Sequence, residues 1–441
     1  LERNTTEAAN VPAAEPVSVE GKGAGAGASD FPTKARKRRR WPRVLLILLL
    51  LLALSQTPFI YRRYRLGRLH ETIGQLNAER IAAPLLSDYR EYKGVMHVHS
   101  LLGGHSTGNF QDIIKAATAN QLDFVVMTEH LAPDLNTSEM TLKDFHAGVL
   151  FINGTEVNTA TQDSFLFVPG SRLLNNARES LNQDVLNEGK TKDAMAFIAY
   201  PQDFQGWGAK GYDGVEVYNL FTNARRINYF TLFFDGLWSN GSYPELLFTT
   251  FYERPSASLK LWDDAIFSRH IKLVATAGTD AHDNLGVSLG DATGKKWLQV
   301  KLDPYERTFR IVRNHVLIEQ AKPLNADSLL VALASGHSYI AFDLLCDATG
   351  FDFIAENGVD KKMMGDEIEL KDGVRLTVAT PVRSRVLLIK DGQTIREESG
   401  TTKKDFSVTE KGVYRVEAYL DQLPQPLSQQ PWIISNPIYV R

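Results

Sequence analysis

The sequence of 441 residues predicts an α/β protein: a parallel β/α domain close to a barrel, preceded by a transmembrane helix and followed by a small β-sandwich. Three observations predict it. Short apolar runs alternate with helical patterns over residues 91–300, an uncharged leucine-rich run fills 44–60, and apolar–polar alternation with turn signals fills 350–441. The hydrophobic share of 43% and charged share of 23% are those of an ordinary globular chain, long enough for two or three domains. A net charge of -3 argues against broad nucleic-acid binding, so no nucleic-acid partner is expected. The one cysteine, Cys346, sits in the apolar run "IAFDLLCDA" as a core residue and excludes both a disulfide framework and a Cys-rich zinc site.

Taken in order, residues 1–43 read as a disordered cytoplasmic tail with a polybasic end. The first part is rich in Ala, Gly, Glu, Pro and Ser, and "KARKRRRWPR" (34–43) carries seven Lys or Arg. "VLLILLLLLALSQTPFI" (44–60) has no charge and the leucine density of a short transmembrane helix rather than a core helix. Four arginines follow it (Arg62, Arg63, Arg65 and Arg68), so the positive-inside bias is modest and places the N-terminus in the cytoplasm. The expected topology is a single-pass membrane protein whose catalytic part is extracytoplasmic. Small residues in "ALS" (53–55) keep a cleaved signal peptide as the rival, and both readings export the globular part. Residues 61–90 read as a juxtamembrane helix or stalk.

In the central region the candidate strands are "GVMHVH", "DFVVMT", "GVLFING", "SFLFVPG", "AFIAYP", "GVEVYN" and "KLVATAG", with helices expected over 110–120 and 257–270. Polar residues collect at the C-terminal ends of these strands, where β/α barrels build their sites. "VMHVHS" supplies His97 and His99, which share one face of a strand at positions i and i+2. His105 follows in "LLGGHS", Glu129 and His130 in "TEH", Glu156 in "TEVN", and Asp280 and His282 in "TDAH". Five of the ten histidines thus sit at strand ends. No cysteine joins them, so this is a His/carboxylate site suited to Zn, Mn or Fe.

"HVHS", "TEH", "GTE" and "GTDAH", in this order over residues 91–300, resemble the PHP superfamily, named for polymerase and histidinol phosphatase domains. The resemblance implies a distorted seven-stranded β/α barrel over 91–345, with divalent metal ions as cofactors. It implies that His97, His99, Glu156 and Asp280 hold one metal, that His105, His130 and His282 hold another, and that Glu156 bridges the two. The sequence departs from the family twice: Tyr200 in "AYP" stands where a histidine is usual, and "GVEVYN" offers only Glu216 and Asn219. One or two metals are therefore expected rather than three. Tyr200 is left as a substrate-orienting or weakly ligating residue, and Asp280 or Glu129 as the proton acceptor.

"LNADSLLVALASGHSYIAF" is similar to a segment that follows the barrel in the branch resembling carbamate-ester hydrolases; His337 within it reads as structural. From residue 350 to 441 the strands "VRLTVATP", "SRVLLIKDG", "GVYRVEAYL" and "PWIISNPIYV", with turns at "KDG" and "EKG", read as a β-sandwich without a catalytic cluster, suited to packing or partner binding. The aromatic stretch 220–265 reads as helices packed on the barrel or as a lid. Together these readings imply a membrane-anchored metal-dependent hydrolase that uses metal-bound water as nucleophile on a small phosphoester. A carboxyl-ester or carbamate hydrolase and a non-catalytic metal-dependent sensor are the alternatives.

Overall fold

The computed structural model describes residues 40–81, 86, 88–132, 134–225, 228–290 and 296–441. The expected disordered tail lies outside the described residues up to position 39. The chain divides into two units between Ser55 and Gln56, and residues 56–441 form the second. Helix α1 (Trp41–Ala78) is the one described helix long and apolar enough to cross a membrane. It continues past the uncharged run, and Leu66, Leu69 and Leu76 bury one side of its second half.

Residues 56–441 are a mixed α/β unit with one large sheet. Ten strands organise its first part: β1 (Tyr89–Val98), β2 (Phe124–Met127), β3 (Glu129–His130), β4 (Asp144–His146), β5 (Val149–Ile152), β6 (Thr155–Asn158), β7 (Ser164–Val168), β8 (Met195–Ala199), β9 (Gly214–Asn219) and β10 (Val274–Ala281). β2 and β3 are successive pieces of one chain direction, as are β5 and β6. Pairing is parallel from β1 to β2, from β2 to β5 and from β3 to β6. It turns antiparallel through β7, then is parallel again from β8 to β9, β9 to β10 and β10 back to β1. The ladder therefore returns to its first strand. Most of these strands are buried throughout, as expected when both faces of a parallel sheet are covered.

Helix α2 (Phe110–Ala119) starts at Asn109, whose side chain and that of Asp112 form a reciprocal capping box. Helices α3 (Tyr229–Ser239) and α4 (Ser256–Arg269) lie in the aromatic stretch, and α4 buries Trp262. A hairpin, β11 (Gly286–Gly290) and β12 (Lys296–Lys301), follows β10.

The sheet does not stop at the ring. The first half of β1 pairs antiparallel with β13 (Arg313–Glu319), which pairs with β14 (Ser338–Ala341) after helix α5 (Ala326–Ser335). β14 in turn pairs with Ile433–Ser435, so the C-terminal strands join the same ladder. Val374–Lys390, a single long strand, turns back through Asp391 and Gly392, both at positive φ, into Gln393–Val408. That is the turn the "KDG" signal predicts.

Candidate metal centre

Of the predicted ligands, His97, His99, His130, Glu156, Asp280 and His282 come together on or just after β1, β3, β6 and β10. His97 sits at a break in the β1 register, where Met96 pairs with Gly278 and Val98 with Ala281, and its φ is +65°. The two histidines of "HVHS" therefore converge through a bulge, not through the plain alternation of a strand. Tyr200 (φ +49°) and Asp280 (φ +48°) are also left-handed. Three non-glycine residues in this region at one site indicate a backbone held by its surroundings.

His97, His99, Glu156 and Asp280 are all buried. Glu156 Oε2 lies 3.2 Å from His97 Nε2, 3.4 Å from His99 Nε2 and 3.5 Å from His130 Nδ1. Asp280 Oδ1 lies 3.4 Å from His97 Nε2, 3.5 Å from His99 Nε2 and 3.4 Å from His282 Nδ1. The rings of His130 and His282 stack on His99 at 4.5 and 4.3 Å. Two overlapping groups of ligand atoms result, one from His97, His99 and Glu156 and the other from His99, His130 and His282. His99 belongs to both. His105 belongs to neither; its exposed ring meets His130 edge-on at 4.9 Å. The turn before it, closed by Gly104 at φ +81°, carries His105 outward into the cleft wall.

Further contacts aim these groups. His97 Nδ1 donates to Glu216 Oε1 at 2.6 Å, which turns Nε2 inward. Tyr200 Oη donates to Asp280 Oδ2 at 2.9 Å. Burial, reinforced by Asp280, Glu156 and Glu216, drives the phenol's pKa far up, so Tyr200 acts as a donor. Asn219 Nδ2 donates to Glu216 at 3.0 Å and to Asp280 at 3.4 Å, while its Oδ1 accepts from Thr222 N and caps the following turn. Glu129 is fully buried but bound elsewhere: it accepts from Ser100 N, from Ser100 Oγ at 2.6 Å and from Thr141 Oγ1 at 3.0 Å.

These residues fit a divalent cation on three counts. Both ring nitrogens of His99 and Asp280 Oδ1 are buried without a hydrogen-bond partner, a costly arrangement unless something else binds them. Donors about 2.1 Å from a tetrahedral ion stand about 3.4 Å from each other, which is the spacing of the nitrogen–carboxylate pairs here. The protonation states also suit ligation. Burial brings His99 and His130 down to about 4, leaving both rings neutral near pH 7. Burial alone would raise Glu156, but His97, His99 and His130 bring it to about 2. Burial opposes charge on His97, yet Glu216, Asp280 and Glu156 hold its pKa well above the usual histidine value, so a cation would compete with a proton there.

The centre opens into a cleft of about 510 Å³ whose walls include Asn158, Gln162, Asp163, Phe221 and Arg225. Arg225 stands 6.0 Å over the Tyr200 ring and pairs with Asp203 at 3.1 Å. The sequence reading did not single out Arg225 or Ser100 and offered Glu216 only as a candidate for the missing ligand, whereas here it bonds the His97 ring. Glu216 had one usable signal: a carboxylate in the middle of the apolar strand "GVEVYN".

No family model and no curated protein matches the chain. Among solved structures, a two-domain protein containing a predicted PHP-like metal-dependent phosphoesterase from Bacteroides vulgatus is similar at 14% identity and a TM-score of 0.36, covering 81% of this chain and 98% of that one. PsfC from Pseudomonas syringae is similar at 11% identity and a TM-score of 0.36, covering 57% of this chain and 92% of that one. At these scores neither likeness establishes fold or activity.

Proposed function

We propose that the chain is a metal-dependent phosphoesterase of the PHP type, anchored by residues 44–60 with its N-terminus in the cytoplasm and its catalytic part outside. The observation that supports it most is the pair of overlapping ligand groups sharing His99, with Glu156 Oε2 in reach of His97, His99 and His130, at one end of the strand ring. We read that ring as the distorted seven-stranded barrel. His97, His99, Glu156 and Asp280 would hold one divalent ion, and His130 and His282, with His105, a second. Zn, Mn and Fe suit this nitrogen and carboxylate set. Such an ion supplies Lewis-acid polarisation of a phosphoryl oxygen and acidifies water toward neutrality.

The chain's own groups do the rest. Glu216 fixes the His97 ring, and Tyr200 and Asn219 fix the Asp280 carboxylate. Of the two candidate proton acceptors, Asp280 lines the cleft whereas Glu129 is taken up by Ser100 and Thr141, which favours Asp280 in this reading. Arg225 at the cleft wall binds the non-reacting oxygens of an anionic substrate. This favours phosphoesters over neutral carboxyl esters or carbamates.

The test uses the detergent-solubilised full chain, stripped by chelation and reloaded with Zn, Mn or Fe. Chelation should abolish hydrolysis of an aryl phosphate, reloading should restore it, and elemental analysis should find one or two ions per chain. Arg225→Ala should raise KM for the aryl phosphate about tenfold, the loss of one charge-assisted contact, and leave an aryl acetate unaffected. Faster turnover of the acetate or of an aryl carbamate would transfer the assignment to the ester or carbamate reading. Tight metal binding without turnover of any of them would support the sensor reading.

A further inference from the structure

Helix α3 takes no part in the cleft. One side of it is fastened to α1. The buried Asp235 receives Arg62 at 2.8 and 2.5 Å, and Phe234 stacks on Phe59 at 4.8 Å. Arg63 donates to the Trp238 carbonyl and to Ser242 Oγ, and Trp238 Nε1 donates to Gln56 Oε1 at 3.2 Å. The other side carries Phe230, Phe233 and Leu237, which are 66%, 63% and 68% exposed. Their spacing of three and then four residues sets them on one stripe of the helix.

We propose that α3 is a membrane-docking helix and that this stripe inserts into the phospholipid interface of the bilayer that α1 enters. The proposal rests on reading residues 44–60 as a span. Lipid is the indicated occupant because α3 packs on Gln56 and Phe59, residues of the span's own last turn. The apolar stripe therefore belongs to a helix fastened to the end of the proposed span. Tyr61 and Tyr64 are exposed on α1 just past residues 44–60, and Trp238 lies on α3 itself; these are the residue types that collect at membrane interfaces. The ion pair with Arg62 holds the one carboxylate of α3 against α1, so no charged side chain of the helix lies on the stripe.

The test places a nitroxide label at Phe233→Cys, Leu237→Cys, Leu49→Cys or Val359→Cys, each in a full-length Cys346→Ala background. The protein is reconstituted in vesicles of phosphatidylcholine and phosphatidylglycerol. Collision rates with oxygen and with a water-soluble nickel chelate report depth. Labels at 233 and 237 should favour oxygen, at a shallower depth than 49, while the exposed Val359 site should favour the chelate. Chelate access at 233 and 237 equal to that at 359, with 49 still in lipid, would overturn the docking helix and spare the span. Chelate access at 49 as well would remove the span and the proposal with it. Shielding of 233 from both reagents, with dipolar broadening between labels, would overturn it in favour of a second copy of the chain covering the stripe.

Discussion

His97 is aimed by Glu216 and Asp280 by Tyr200 and Asn219, and substitutions separate the ligands from their supports. Glu156 is the carboxylate of the first ligand group, and its Oε2 also lies 3.5 Å from His130 of the second. Glu156→Gln keeps its shape and removes its charge, so metal content should fall and hydrolysis should drop by about 100-fold or more, as for loss of one strong electrostatic contact. Glu129 is equally buried, but Ser100 and Thr141 supply its hydrogen bonds. In Glu129→Gln an amide donor would face those donors, lowering stability by about 1–3 kcal/mol while metal content stays near normal. Elemental analysis and thermal melting of the two variants check this, and the reverse pattern would exchange their roles. Gly278 gives a sharper test of how His97 is aimed. A Cβ there would lie 1.7 Å from Glu216 Oε1 and 2.9 Å from His97 Cβ. Gly278→Ala must push Glu216 off the imidazole, so metal affinity should fall although no ligand is changed; unchanged affinity would show that Glu216 does not position His97. The sequence displays these ligands because each follows an apolar strand. It hides their supports, since Gly278 and Glu216 come from different strands and matter only through a contact of side chain against backbone.

At the scale of elements, β1 carries both the ligands and the junction with the C-terminal strands. Its N-terminal half is tied to β13 by a buried network: His315 Nδ1 lies 2.6 Å from Glu91 Oε1 and Nε2 lies 3.1 Å from Asp343 Oδ2, and Tyr339 stacks on the ring at 4.7 Å. Burial opposes the charged ring, but Asp343 and Glu91 raise its pKa to about 9. A raised histidine stabilises the fold fully below its unfolded value of about 6.5 and loses that contribution as pH rises through about 9. The difference is on the order of 3 kcal/mol. Thermal melts of the detergent-solubilised chain should therefore decline between these pH values beyond any general trend, and His315→Gln should flatten that part of the profile. A slope unchanged by His315→Gln would assign it to other groups. Local signals predict elements well here: the helices expected at 110–120 and 257–270 lie at Phe110–Ala119 and Ser256–Arg269, and "KDG" makes its turn. The bulge at His97 and the antiparallel insertion of β7 are less legible, because both depend on which strand lies alongside. The expected strands "VRLTVATP" and "SRVLLIKDG" are one long strand, continued across Pro381 by a register irregularity that no local pattern marks.

Over the whole molecule, the C-terminal strands and the ring share a core. Phe342 packs against Tyr218 at 4.7 Å and Tyr252 at 4.0 Å, and Trp432 donates to the Cys346 carbonyl at 2.6 Å. Pairing of Ser338–Ala341 with Ile433–Ser435 spans so much sequence that alternation alone cannot reveal it. The ionic part of this junction is Arg415, 2% exposed, which reaches Asp263 of α4 at 2.8 Å and Glu417 at 2.7 Å and lies 5.5 Å over the Trp262 ring. Glu417 also holds Arg254 at 2.6 Å. Removing one member of a buried ionic group leaves its partners desolvated and uncompensated, which typically costs about 3–5 kcal/mol. Arg415→Met fills similar volume but leaves Asp263 without its cation, whereas Glu417 keeps Arg254. The loss should thus fall at the lower end of that range, about 3 kcal/mol. If residues 56–441 unfold as one body, urea denaturation followed by tryptophan fluorescence and by loss of bound metal should give coincident transitions, shifted together by Arg415→Met. Separate transitions, with the metal retained after the fluorescence change and insensitive to Arg415→Met, would mean that the C-terminal strands unfold independently of the centre.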